Sequence, residues 1–429
     1  MNETISKIHK IFLQNHDICT DSREIKQNDI FFALKGGNFN GNLFVNQAFA
    51  KGASYAVCDE TQDVLEQNKK KVFVVEDVLE SLQQLASHHA KQSKAQILAI
   101  GGSNGKTTTK ELIHEVLKTE YKVIATQGNY NNHIGVPLTM LKIKDETEVA
   151  IVEMGTNHPG EMQFLVQLAD PDFGLVTNIG KEHLEGFGDI EAVAKEESFL
   201  YHYLAEHKRL VFVNADDVWL GNMAKRIENK ITYGLNNPAD CKANNTSTYP
   251  YASILWNNTN INSKLAGEFN TINILAALAV GQHFGVTLEN TKKAIESYEP
   301  DNKRSQWITK GEYELMLDCY NANPDSMKVA LLSFSKMKKG AVILGDMLEL
   351  GEAENQEHKE ILEYADTLSF DAIYTVGPRF LNLSKNFNTF AFEHIEDLKT
   401  YFLEKGIEQK LFLIKGSRGI QLEKVLEVF

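Results

Sequence analysis

The chain has 429 residues, 43% of them hydrophobic and 24% charged, a globular composition long enough for two to four cores. Its formal net charge of −14 argues against a nucleic-acid binder, which needs a basic face, and no apolar run approaches the roughly 20 residues of a membrane span. The N-terminus lacks a basic region followed by an apolar stretch, and Cys19, Cys58, Cys241 and Cys319 form no C-x-x-C pair, so a reducing cytoplasm is expected. A monomer is the expectation for the assembly, although no motif specifies it.

In chain order, apolar runs at Asp29–Leu34, Ser54–Cys58 and Lys71–Val75 predict short strands, and helical periodicity covers Leu79–Lys91. A strand at Gln96–Ile100 then runs into a glycine loop and a helix from Lys106. Strands at Lys122–Ala125, Glu148–Glu153, Gly174–Asn178 and Leu210–Asn214 alternate with amphipathic segments. That alternation predicts a mostly parallel sheet covered on both faces. The polar, Asn-rich stretch from Asn236 to about Asn262 reads as peripheral strands and loops, and a helix follows over Asn270–Phe284. After a break at Tyr298-Glu299-Pro300-Asp301-Asn302, strands at Glu314–Cys319, Ala341–Leu344, Ala372–Val376 and Leu411–Ile414 alternate with helices, one more helix closing the chain. The expectation is an α/β protein of three domains: a small α/β domain over 1–94, a parallel-sheet P-loop domain over 95–299 and a Rossmann-like domain over 300–429.

The strand–loop–helix context of Gly101-Gly102-Ser103-Asn104-Gly105-Lys106-Thr107-Thr108 is that of a phosphate-binding loop. Glycines let backbone N–H groups converge on phosphate oxygens, the helix N-terminus adds positive potential, Lys106 reaches the outer phosphates and Thr107 can ligate Mg²⁺. The strict pattern wants a glycine at position 100, where Ile100 stands, so this loop is shorter than that of kinases. Glu153 closes a predicted strand, where an open parallel sheet places ligands, and its oxygens suit Mg²⁺. His183 stands in Thr177-Asn178-Ile179-Gly180-Lys181-Glu182-His183-Leu184, again at a strand end. Lys195 falls on a predicted helix, where its own surroundings read as a solvated charged face.

The short loop resembles those of the Mur ligases and folylpolyglutamate synthases, which make amide bonds from a carboxylate, an amine and ATP. Other segments are similar to the Mur ligase family alone and together span nearly the whole chain. They are Thr20-Asp21-Ser22-Arg23, Asp29–Gly36, Gly128–Thr139, Val152–Gly155, Thr177–Gly188, Asn214–Asp217, Gly267–Asn273, Asp318–Pro324, Gly345–Gly351 and Lys415–Arg418. Asp318-Cys319-Tyr320-Asn321-Ala322-Asn323-Pro324 and Gly345-Asp346-Met347-Leu348-Glu349-Leu350-Gly351 are the most specific. The Asp-Asn-Pro-Arg motif of the member that adds the third residue is absent; Asp301-Asn302-Lys303-Arg304 is a different element.

The resemblance implies an ATP-dependent ligase that joins D-alanyl-D-alanine to UDP-N-acetylmuramoyl-tripeptide in peptidoglycan synthesis, its first domain binding the UDP-sugar. It implies that Gly102, Ser103, Asn104, Gly105, Lys106, Thr107 and Thr108 bind ATP phosphates. Thr107 and Glu153 would hold one Mg²⁺, and His183 with a carbamylated Lys195 a second. Asn270 would read the adenine, Arg304 approach the phosphates and Asp318 bind the ribose. Ser22, Arg23, Lys35 and Asn131 would face the UDP-sugar, and Asn321, Asn323 and Asp346 the substrate side of the last domain. Where the family often has His before that asparagine, this chain has Phe269, which can stack on a base.

Overall fold

The computed structural model describes residues 3–14, 16–60, 64–301, 303–337 and 340–429; Asn302, within the predicted break, lies outside them. The fold groups into two compact units, one of Met1–Ala99, Lys122–Met154 and Gln163–Asp172, the other of Ile100–Tyr121, Gly155–Met162 and Phe173–Phe429.

In the first unit, Ile18–Cys19, Ile30–Phe32, Tyr55–Cys58 and Val72–Val74 form a parallel sheet in that order. β-branched and aromatic residues favour the pleated conformation, and Phe31, Ala56 and Cys58 meet Val45 and Ala48 in a small core. The helix Val78–Gln92 starts where the Asp77 carboxylate accepts the Glu80 N–H, and it buries Leu82, Leu85 and Ala86 at helical spacing. The helix Glu3–Phe12, which the sequence reading passed over, packs against it. Val123–Ala125 and Val149–Glu153 pair in parallel, and every residue of the second strand is buried. Glu153 therefore ends a strand covered on both faces.

In the second unit, Phe173–Val176, Leu210–Asn214, Lys230–Gly234 and Cys241–Lys242 run parallel. The first of these stops at Val176, two residues before its predicted end, which leaves Thr177 and Asn178 for loop contacts. The helix Thr271–His283 is apolar on all sides and buries Ile274 to Gly281 without a break. It packs on the helix Lys106–Leu117, which follows the glycine loop. The Asn-rich stretch is an antiparallel sheet of Asn244–Asn245, Tyr251–Trp256 and Thr259–Ala266.

The last part is a six-stranded sheet in the order Gln306–Lys310, Tyr313–Asp318, Leu411–Lys415, Ala341–Gly345, Ala372–Val376 and Phe390–Phe392. All of its pairs are parallel except the first, an antiparallel edge hairpin that the sequence reading missed because Gln306–Lys310 has no buried face to give it periodicity. The helix expected at the C-terminus is a 3-10 segment, Leu422–Val428, which anchors Leu422 and Val425 in the sheet's core.

Candidate active site

The glycine loop follows from local sterics. Gly102 has φ +110 and Gly105 φ +80, left-handed values that favour glycine. A Cβ on Gly102 would lie 2.3 Å from Thr177 Oγ1, and one on Gly105 would lie 2.8 Å from Asn273 Oδ1. The Thr177–Gly180 segment braces the loop: Ser103 N–H donates to Asn178 O (2.9 Å), Asn104 N–H to Asn178 Oδ1 (3.0 Å), and Asn178 Nδ2 to Asn104 O (2.9 Å). Gly180 N–H donates to Ser103 Oγ at 2.9 Å. Thr107 and Thr108 are buried in the first turn of the helix.

Two acids that sequence reasoning left without a role stand behind this loop. Lys106 Nζ donates to Gly102 O and lies 3.3 Å from Glu182 Oε2. Glu197, fully buried, accepts the Gly102 N–H at 2.7 Å and the Thr156 hydroxyl at 3.4 Å. Burial pushes its carboxyl up to about 8, against the pull of the Lys106 charge. Gly101 is also explained by this acid, because a Cβ there would lie 2.5 Å from Glu197 Oε2. A signal for it does exist in the sequence. The helix Ile190–Glu206 buries Val193, Glu197, Leu200, Tyr201 and Leu204, so a glutamate interrupts an apolar stripe at a core position.

On the other side of the loop, Asn270 is buried, its Nδ2 donating to Ala266 O (2.9 Å) and its Oδ1 accepting from Asn273 Nδ2 (3.0 Å). Asn273 in turn accepts the Thr109 hydroxyl at 3.2 Å. The two asparagines thus tie the helix Thr271–His283 to the glycine loop. Phe269 packs against the core that holds Met327 and Phe334.

His183 adopts φ +46, and its Nδ1 lies 2.6 Å from Glu349 Oε2. The imidazole holds that carboxyl below the usual range, with burial opposing it. Glu185 N–H donates to Glu349 O (3.1 Å), Lys181 N–H to Asp325 Oδ2 (2.7 Å), and Lys181 Nζ to Glu357. Asn323 caps the helix Pro324–Ser335 in a reciprocal box with Ser326 while its Nδ2 donates to Asn104 Oδ1 at 2.8 Å. The Asp318–Pro324 and Gly345–Gly351 segments therefore converge on the glycine loop and on the loop that carries His183.

The remaining expected residues are placed as follows. Asp318 pairs with Lys415 at 2.6 Å and accepts the Ser305 N–H at 3.2 Å. Arg304 lies over the Tyr320 ring, and Asn321 is exposed. Asp346 is fully buried and accepts the N–H groups of Arg379 and Phe380 at 2.9 and 3.0 Å. Lys195 is exposed on its helix, as the reading of its own surroundings had it.

In the first unit, Glu153 is buried; its backbone N–H donates to Thr126 Oγ1 (2.9 Å) and its Oε1 accepts from Asn131 Nδ2 (3.0 Å). A cavity of about 780 Å³ is lined by Thr20, Asp21, Lys26, Gln127, Tyr130 and Lys142, among others. Ser22 and Arg23 flank it in sequence; Ser22 is buried, and Arg23 grips Asp21, whose carboxyl it holds at about 2. Lys35 is exposed and pairs with Asp59 (2.9 Å) and Glu60 (2.7 Å). The buried carboxylate of Glu153 is the kind of hard oxygen donor that Mg²⁺ prefers.

The fold and loop define a phosphate-binding α/β protein of the short-loop kind. The Mur ligase family catalytic domain matches residues 14–90, the Mur ligase middle domain 100–281, and the Mur ligase glutamate ligase domain 303–418. UDP-N-acetylmuramoyl-tripeptide–D-alanyl-D-alanine ligase of Bacillus subtilis is 34% identical over 96% of this chain and 92% of its own length. A crystal structure of MurF from Acinetobacter baumannii superposes with a TM-score of 0.87 at 28% identity, covering 96% of this chain and 92% of its own. The fold is also that of MurF ligase from Thermotoga maritima in complex with ADP, with a TM-score of 0.84 at 24% identity over 100% of this chain and 98% of its own. The chain belongs to the Mur ligase family, and it has that family's three domains.

Proposed function

We propose that this ligase joins D-alanyl-D-alanine to UDP-N-acetylmuramoyl-tripeptide at the expense of ATP, yielding the UDP-muramoyl-pentapeptide of peptidoglycan synthesis. The observation that carries the reading is the convergence of the Asp318–Pro324 and Gly345–Gly351 segments on the nucleotide loop, through Asn323–Asn104 and Glu349–His183. The full-length likeness to D-alanyl-D-alanine ligases supports it.

A free carboxylate is a poor acyl donor because its leaving group would be oxide. In the first step a carboxylate oxygen of the tripeptide attacks the γ-phosphorus of ATP, ADP leaves, and an acyl phosphate forms. The dipeptide's amine then attacks the carbonyl carbon. A C–N bond forms, the C–O bond to phosphate breaks, inorganic phosphate departs, and the amine's surplus proton is released. Both steps crowd anions together, so positioning and positive charge supply most of the help a protein can give.

In this reading Lys106 leaves its carbonyl and Glu182 partners for the outer phosphates, and the loop from Gly102 to Thr108 cradles them. Thr107 and Glu153 would ligate Mg²⁺, which when bound neutralises phosphate charge. His183, its ring fixed by Glu349, and a carbamylated Lys195 would serve a second ion; an intact-mass gain of one carbon dioxide would register the carbamate. Arg304 approaches the phosphates, Asp318 the ribose, and Asn270 holds the adenine side through Asn273. The first unit's cavity takes the UDP-sugar, with Ser22, Arg23, Lys35 and Asn131 at its approaches, while Asn321, Asn323 and Asp346 shape the dipeptide side. The domain limits 1–94, 95–299 and 300–429, a monomeric state and a cytoplasmic location belong to the same proposal. No described helix is long and apolar enough to cross a membrane.

The test is phosphate release from ATP with each substrate omitted in turn. Release should require both the UDP-tripeptide and D-alanyl-D-alanine. Release indifferent to the dipeptide, or supported equally by a single diamino acid added to the UDP-dipeptide, would refute the assignment.

A further inference from the structure

Arginine is scarce in this acidic chain, with six residues against a net charge of −14, and most cations near the C-terminal sheet are spent on acids. Arg304 and Arg418 are different: among the described residues neither makes an ion pair. Both guanidinium groups instead rest on one ring. The Arg304 carbon lies 3.9 Å from the Tyr320 centroid and that of Arg418 5.4 Å, so the two are no more than about 9 Å apart. Arg304 Nε is buried and has no hydrogen-bond partner among the described residues. Asp318, two residues before Tyr320, is already taken by Lys415. An aromatic face orients a guanidinium without consuming its N–H groups, which stay free for a planar oxyanion.

We propose that Arg418 receives the terminal carboxylate of the incoming dipeptide, with Tyr320 fixing it against Arg304 on the phosphate side. The inference rests on the function proposed above and adds the group that reads the far end of the amine substrate. An extended dipeptide spans roughly 7 Å from amine to carboxylate, inside the upper limit of about 9 Å on the distance between the two guanidinium carbons. With its nitrogen at the acyl carbon beside Arg304, its carboxylate comes within reach of Arg418. The exposed Arg418 side chain contributes little to folding, so its loss is read out in substrate use.

The experiment compares D-alanyl-D-alanine with its uncharged C-terminal amide on the full-length enzyme, wild type, Arg418→Ala and Arg418→Lys. Wild type should prefer the acid. Arg418→Ala should raise the KM for the acid by about tenfold to a hundredfold, the usual weight of a charged hydrogen-bonded pair, and erase the preference for acid over amide. Arg418→Lys should recover part of it, and the KM values for ATP and UDP-tripeptide should stay put. An acid preference that survives in Arg418→Ala, or a change confined to the ATP KM, would overturn the subsite while leaving the ligase reading intact. Wild type that ligates neither dipeptide form would overturn both.

Discussion

A carboxyl buried in protein is costly unless its oxygens are occupied, and Glu197 is fully buried. It is tolerated because Gly102 N–H and the Thr156 hydroxyl point at it and Lys106 lies nearby. The acid thereby holds the Gly102 amide and sets the loop's shape from behind. Glu197→Ala leaves that N–H buried without an acceptor, which costs about 1–3 kcal/mol and should lower Tm and raise the KM for ATP. Glu197→Gln keeps an acceptor and should stay close to wild type in both. Thermal unfolding with ATP titration separates the two variants, and equal losses in both would rule out the acceptor role.

At the scale of elements, the helix Pro324–Ser335 is held at its start by Asn323, which also reaches Asn104 of the glycine loop. The two duties can be separated chemically. Asn323→Asp still accepts the Ser326 N–H as an N-cap but cannot donate to Asn104, so stability should hold while the KM for ATP rises. Asn323→Ala loses the cap as well, at about 1 kcal/mol, and should show the same kinetic change with a lowered Tm. If Asn323→Asp bound ATP as wild type does, the Asn323–Asn104 contact would have no part in holding the loop.

The response to pH involves the molecule as a whole. His9 is buried between Phe12, His88 and His89, and burial, with the two neighbouring imidazoles, pulls it down to about 4. Its Nε2 lies 3.2 Å from His89 Nδ1, and His89 Nε2–H donates to Ile143 O at 2.7 Å. The folded value lies below the unfolded 6.5, so the fold is favoured above about pH 6.5 and loses that advantage as pH falls from there through about 4. His9→Phe should flatten this part of the Tm-against-pH curve; a curve unchanged in shape would place the acid sensitivity elsewhere.

The sequence alone carried the glycine loop, the run of apolar strands and helices, and the family segments, because each is local. Strand-to-loop-to-helix succession and apolar periodicity are written in consecutive residues. Ile100 in place of a glycine pointed away from kinase-type loops and toward ligase-type ones. Sequence did not say that Asn270 would be buried with its amide spent on Ala266 O and Asn273, or that Asp346 would hold the N–H groups of Arg379 and Phe380. It was silent on Glu197 against Gly102 and on Glu349 against His183, residues 95 and 166 positions apart. Such pairings depend on which strands are neighbours and where loops turn back, and no periodicity records them. The tertiary structure decided them through burial: a polar group removed from water must find its partner inside the fold, whichever segment supplies it.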